Sequence, residues 1–242
     1  MLKIKKHDGP ARLGQWNEKE TPTIIDYKTK KIIQSNPAPY NIPEELANEL
    51  MIKTLEIAEN TENKEDKIGI IQGSKYTNLR IDCAKKLEKL GYTTLLIANT
   101  DNLQKNPQEM LDIIIRLREN IKPTTTLYYP FAITPLIPLL SYIGIDLFDY
   151  SRAIYEAQKN RLMTSTNIYD INKYLIIENN NLQTENIKNL KQTVIETRKN
   201  IENKTLRNIV EQRCTAYPET MTTLRILDKK YYNYLNKYTP LY

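Results

Sequence analysis

The sequence predicts an α/β protein built on a mostly parallel sheet, followed by additional helices. Three observations carry this. From Lys67 to Lys159, short β-rich runs alternate with helical stretches of roughly ten to fifteen residues, the pattern produced by right-handed βα crossovers. Hydrophobic residues make up 40% of the chain and charged residues 26%, a globular rather than a disordered composition. The 242 residues suffice for one sizeable core, so a single domain is expected, in three parts: 1–66 with the first strands and helix, 67–160 with regular βα units, and 161–242 with a short strand and further helices.

The elements follow in order. Met1 to Gln15 holds two short alternating stretches around Asp8-Gly9-Pro10, a hairpin or strand-turn unit. Thr21 to Tyr27 reads as a strand and Lys30 to Gln34 as another, before the proline-rich connection Ser35 to Pro43, which cannot continue a ladder. Pro43 and the glutamates after it open a helix to Asn60, with Leu46, Leu50 and Ile57 at helical spacing. The regular units are strand Lys67–Gln72 and helix Asn78–Leu90, then strand Thr93–Ala98 and helix Asn106–Glu119, whose buried stripe is Met110, Ile113, Ile114 and Leu117. Strand Thr125–Tyr129, a proline-led helix Thr134–Ile143, strand Ile145–Phe148 and a helix or turn Ser151–Lys159 complete them. Beyond Asn160 the reading is a short strand Tyr174–Glu178, then helices over Thr184–Ile201, Lys204–Gln212 and Glu219–Leu235. Tyr231, Tyr232, Tyr234, Tyr238 and Tyr242 form either a stacking surface or a packed helical face with a frayed end.

Composition removes several classes of function. The apolar stretch Leu127 to Leu147 is broken by Pro130, Pro135 and Pro138, and no window reaches the roughly 18 apolar residues of a spanning helix. The amino terminus shows no signal peptide, so a cytoplasmic location is expected. Cys83 and Cys214 are the only cysteines and His7 the only histidine, which excludes a disulfide framework, a four-thiolate zinc site and His-rich metal catalysis. No metal and no cofactor is expected. Thirty-five Lys and Arg against 29 Asp and Glu give a net charge of +6, which favours a polyanionic partner without requiring one.

In a parallel sheet, ligands bind beyond the carboxyl ends of the strands. Here those ends are Gln72-Gly73, Asn99-Thr100, Tyr129-Pro130 and Asp149-Tyr150. Asp149 is the best candidate: it follows Ile145, Leu147 and Phe148, and its carboxylate can serve as nucleophile or acid-base group, with Arg152 as a basic neighbour. The alternative is that it caps the following turn or helix by accepting free N–H groups. Asp146, nearer the strand start, reads as structural, and so does His7-Asp8. Gln72 offers a donor and an acceptor that can read a purine edge or tie down a loop. No phosphate-binding glycine fingerprint, P-loop or nucleophile elbow is present.

Four stretches carry a resemblance: HDGPARLG with Thr21-Pro22, IGIIQGSKYTNLR, GIDLFDYSRAIYEAQKNRLMT and IENKTLRNIVEQRCTAYPE. In order and spacing they resemble the tRNA-guanine transglycosylase superfamily, and within it the transglycosylase-like amino-terminal domain of archaeosine synthase. The resemblance implies a truncated or incomplete TIM-like (β/α) barrel with extra C-terminal helices. It also implies a role in archaeal tRNA modification, where 7-cyano-7-deazaguanine in tRNA becomes archaeosine. Asp149 matches the aspartate that attacks the ribose anomeric carbon, and Gln72 the glutamine that contacts the base; Gly73, Asn99, Tyr129 and Arg152 are expected around the substrate.

The departures are as informative. The family's DSGGFQ segment, with its second carboxylate, has no counterpart, the glycine pair near the base reads Ala98-Asn99, and the cysteine-rich zinc motif is replaced by Tyr174 to Asn181. Asp26 and Asp101 are the carboxylates that could stand in. A nucleophile without a proton-transfer partner exchanges bases poorly. The expectation is therefore a component that recognises tRNA and supports a transferase, with a protein partner supplying the lysine-transferring and RNA-binding domains. The alternatives are a non-catalytic tRNA-binding or scaffold domain, and an autonomous glycosyl-transferring enzyme with an altered substrate. A filled mouth at the carboxyl ends would favour the scaffold.

Overall fold

The Asp8-Gly9-Pro10 turn folds the amino-terminal segment back on itself in the computed structural model, which describes residues 1–26, 28, 29, 31–174 and 181–237. Strands β1 (Lys3–Asp8), β2 (Ala11–Trp16) and β3 (Lys19–Thr21) form an antiparallel meander in that order. β1 is an exposed edge, and its lysines discourage further pairing. The strand expected over Thr21 to Tyr27 is divided at Pro22, which has no N–H for a ladder: β3 ends before it and β4 (Thr23–Ile25) joins a different sheet. Tyr27 and Lys30 lie outside the described residues. The strand expected at Lys30–Gln34 reduces to a single parallel bridge, Ile32 to Ile68.

Helix α1 (Glu44–Glu59) starts after Pro43 and buries Ala47, Met51, Thr54 and Ala58, one register on from the exposed Leu46. The alternating units then appear near their expected bounds: β5 (Ile68–Ile71), α2 (Thr77–Lys89), β6 (Thr94–Ile97), a short α3 (Thr100–Leu103), α4 (Pro107–Asn120), β7 (Thr126–Tyr128), α5 (Ile137–Tyr142), β8 (Leu147–Asp149) and α6 (Ser151–Gln158). The five-stranded sheet is parallel throughout, in the order β4-β8-β7-β6-β5. It is consistent with part of a TIM-like barrel.

Side chains alternate across this sheet. Ile71, Leu95, Ile97, Leu127 and Phe148 join the large helix-covered core. On the other face, Ile25, Ile68, Tyr128 and Leu147 cluster with Leu2 and Trp16 of the amino-terminal segment. Trp16 Nε1 donates to Thr94 Oγ1 at 2.8 Å, and the Leu2 N–H donates to the Thr124 carbonyl at 3.1 Å, so the meander closes the amino-terminal ends of the strands. Asp146 locks that end. Its Oδ2 lies 2.5 Å from Arg12 Nη2 and 2.6 Å from Arg118 Nη2, and accepts the Leu127 N–H at 2.8 Å. Burial, followed by the neighbouring Arg12, lowers the Arg118 guanidinium to about 10, while Asp146 opposes the shift.

After Lys159 the structure departs from expectation. β9 (Arg161–Met163) and β10 (Ile168–Asp170) form an antiparallel hairpin, leading to α7 (Ile171–Tyr174). The strand expected at Tyr174–Glu178 lies outside the described residues except for Tyr174, which ends α7. The long α8 (Leu182–Glu202) is pinned to the hairpin by buried Asn186, which accepts the Met163 N–H at 2.8 Å and donates to Ala153 and Arg161 carbonyls at 3.2 and 2.9 Å. α9 (Leu206–Ala216), α10 (Pro218–Lys230) and α11 (Tyr232–Lys237) follow. Asp8 caps α9 by accepting the Leu206 N–H at 2.8 Å, a structural role. Of the carboxy-terminal tyrosines, Tyr234 is buried and donates to the Ile143 carbonyl at 2.9 Å, Tyr232 is exposed, and Tyr238 and Tyr242 lie outside the described residues. Among the described residues, no helix is long and apolar enough to cross a membrane.

Candidate functional site

Because the meander occupies one end of the sheet, the carboxyl ends of the strands form the other. Asp149 is the last residue of β8, pairs with Ile25 of β4, and is 2% exposed. It lies on the same face as Leu147 and Tyr128. Four donors surround its carboxylate: the Tyr128 hydroxyl on Oδ2, and on Oδ1 the Ser151 N–H at 2.9 Å, the Ser151 hydroxyl and the Phe131 N–H at 3.4 Å. Burial and the adjacent Asp149 hold the Tyr128 hydroxyl protonated far above its ordinary range. A carboxylate so engaged ties the start of α6 to the loop after β7.

Three strands across the sheet, just after β5, Gln72 is also buried and does not face open solvent. The segment Ser35–Pro43 runs across the carboxyl ends of β5 and β6. Its prolines preclude a ladder, so its carbonyls take side-chain donors instead. Gln72 Nε2 donates to the Asn36 carbonyl at 3.2 Å, Asn99 Nδ2 to Ala38 at 2.9 Å, Ser74 Oγ to Pro39 at 2.8 Å and the Tyr76 hydroxyl to Ile42 at 3.0 Å. Among the described residues, Gln72 Oε1 is buried without a hydrogen-bond partner. Beneath the strap, fully buried Arg80 donates to the Ser74 and Ala98 carbonyls at 2.7 and 3.0 Å and to Asn99 Oδ1 at 3.3 Å; burial lowers it to about 10. Gly73 is required here: at φ +137°, an added Cβ would lie 2.8 Å from the Arg80 backbone nitrogen.

The remaining expected residues are divided between places. Tyr129 is fully buried on the helix-covered face, donating to the Thr100 carbonyl at 3.1 Å beside Met110, and does not reach the mouth. Arg152 sits on α6, 2.6 Å from Glu156. Asp26 follows Ile25, hence lies at the same sheet end as Asp149, but is exposed and accepts the Lys28 N–H at 2.9 Å. Asp101 lines a separate cleft with Arg152. Neither Asp149 nor Gln72 lines that cleft. Among the described residues there is also no cluster of three or more His, Cys, Asp or Glu placed to hold a metal.

A sequence model of the family described as Queuine tRNA-ribosyltransferase matches residues 32–181, well over half of the chain. The chain belongs to this family. Within the ribosyltransferase family it is similar to archaeosine synthase of Methanocaldococcus jannaschii, 34% identical over 45% of the chain and 18% of that protein. It is also similar to the tRNA-guanine(15) transglycosylases of Methanococcus aeolicus, 24% identical over 96% of the chain and 40% of the relative, and of Pyrococcus abyssi, 31% identical over 53% and 23%. The chain thus spans less than half the length of these curated relatives. The matched span contains Gln72, Gly73, Asn99, Tyr129, Asp149 and Arg152, and begins after β4 and Asp26. Two residues that hold Asp149, Tyr128 and Ser151, carried no signal of their own: a tyrosine in a strand reads as core, and a serine after Asp-Tyr reads as a helix start.

Proposed function

We propose that this chain is a tRNA-recognising component of archaeosine modification that supports a partner transferase without exchanging bases itself. The observation that carries the absence of base exchange is the filled mouth, the outcome expected of a scaffold domain; the link to a transferase is supported by the family match. Gln72 and Asn99, expected around the base, hold carbonyls of the chain's own 35–43 segment, and Asp149 is saturated by four donors. A base pocket needs space and unengaged polar groups where the reacting atoms sit. The net charge of +6 supports tRNA as the partner, and the family match supports a role on tRNA rather than on another polyanion. In this reading the lysine-transferring chemistry lies outside residues 1–242.

A second reading, an exchange enzyme opened by tRNA, is favoured by Gln72 Oε1, unpaired among the described residues, which could accept a base N–H if the strap moved aside. Two assays separate them. Labelled lysine is offered to tRNA carrying 7-cyano-7-deazaguanine with the chain alone, with a candidate catalytic partner, and with Asp149→Asn. Labelled guanine exchange into tRNA is measured with the chain alone. Partner-dependent lysine incorporation that survives in Asp149→Asn, with no exchange, is the expected result. Exchange by the chain alone, abolished in Asp149→Asn, would establish the second reading, and no incorporation in any combination would sink the first.

A further inference from the structure

At the rim of the same sheet end, four residues form a cluster that neither the fold nor the proposed support role uses. Phe131, just after β7, adopts φ +61°, a left-handed conformation that a bulky residue adopts at a cost of about 1–2 kcal/mol. Its carbonyl accepts from Gln104 Nε2 at 2.9 Å, and its N–H makes a longer contact of 3.4 Å with Asp149 Oδ1. The result is a ring set against α6. Its centroid lies 5.3 Å from that of Tyr155, edge to face. The Arg152 guanidinium lies 4.8 Å from the Phe131 centroid and 5.6 Å from that of Tyr155, and Lys159 Nζ is 5.8 Å from the Tyr155 centroid.

A purely structural clamp would bury its rings. Tyr155 instead leaves 40% of its surface exposed, and Lys159 is exposed beside it. Below them the fully buried Glu156 forms ion pairs with Arg152 at 2.6 Å and Arg161 at 3.6 Å, and among the described residues neither its carboxylate oxygens nor Arg152 Nε has a hydrogen-bond partner. Arg152 also lines a cleft of about 480 Å³ that continues past Gln104, Lys105 and Tyr217 to Thr222, with Asp101 and Glu219 as its acidic members. Of the four residues only Arg152 lines that cleft. Exposed aromatic surface beside cations is the chemistry that takes unpaired bases: rings stack on rings and cations meet the phosphates between them.

We propose that Phe131, Arg152, Tyr155 and Lys159 form a stacking platform for an unpaired nucleotide of the RNA. This rests on the tRNA-recognition reading and gives it a site outside the filled mouth.

The test uses the full chain with a fluorescently labelled tRNA, an unstructured oligoribonucleotide and a blunt duplex of the same sequence. Tyr155→Ala should weaken oligoribonucleotide binding by about tenfold, leaving the duplex nearly unaffected, because one stacked base is lost. Lys159→Ala should lower the salt dependence of binding by roughly one phosphate contact. Tyr155→Trp should retain binding and show tryptophan quenching on adding RNA, against a wild type whose one tryptophan, Trp16, is buried. Wild-type tRNA binding with Tyr155→Ala equally tight and Tyr155→Trp unquenched would overturn the platform and leave tRNA recognition standing. No binding of any RNA by wild type, even at low salt, would overturn both. Unchanged melting of the Tyr155 variants confirms that a binding loss is not a folding loss.

Discussion

Replacing Asp149 with alanine tests whether this carboxylate is primarily a structural acceptor. The substitution removes the acceptor of four donors at once. The Tyr128 hydroxyl, on a residue 1% exposed, would be left buried and unpaired, at a cost of about 1–3 kcal/mol. Loss of the acceptor for the Ser151 N–H adds about 1 kcal/mol. The Phe131 N–H sits at 3.4 Å and contributes little, and relaxing the strained Phe131 backbone returns part of its about 1–2 kcal/mol. The net expectation is about 3 kcal/mol of destabilisation. Asp149→Asn, which keeps one carbonyl oxygen, should lose only about 1 kcal/mol. The assay is equilibrium urea unfolding of Asp149→Ala, Tyr128→Phe and the double variant, with slopes checked for a common unfolded state. Removing the hydroxyl removes the stranded donor, so the double variant should be more stable than additivity predicts by about 1 kcal/mol. Asp149→Ala within about 0.5 kcal/mol of wild type, with no coupling to Tyr128, would refute the structural role and return the carboxylate to the reactive reading.

Two further outcomes follow from the buried charges and phenols. Asp146→Ala should cost about 3–5 kcal/mol in thermal or urea unfolding, because it strands Arg12 and Arg118, whose side chains are 9% and 6% exposed; a loss under about 1 kcal/mol would contradict the ion-pair lock. Tyr128 and Tyr129 are both held above their ordinary value of 10.0, chiefly by burial. Below that value both states are protonated and stability is complete. Above it the unfolded chain ionises first, so stability must fall as pH rises through about 10. Urea midpoints at about pH 8 and about pH 11, read with phenolate absorbance, should show the fall with ionisation appearing only on unfolding; a flat profile would oppose it.

How far the sequence reached can be read from particular residues. The alternation from Lys67 to Lys159 determined the parallel βα units because period-2 and period-3.6 burial are local properties, and Met110, Ile113, Ile114 and Leu117 are buried as that periodicity requires. Family membership was also legible, since it rests on ordered stretches of residues. The hairpin at Arg161–Asp170 was not: its strands are three residues each, too short to show a period, and the buried Asn186 that anchors it is far along the chain. Nor did strand-end position reveal that Tyr129 turns toward α4 while Tyr128 turns to Asp149, because a one-residue register shift reverses the face. The sequence by itself determined which residues end the strands. Only the tertiary structure decided that Gln72 and Asn99 hold the 35–43 strap and that Asp149 holds Tyr128 and Ser151, because hydrogen-bond partners are chosen by donors and acceptors that folding brings together from distant parts of the chain.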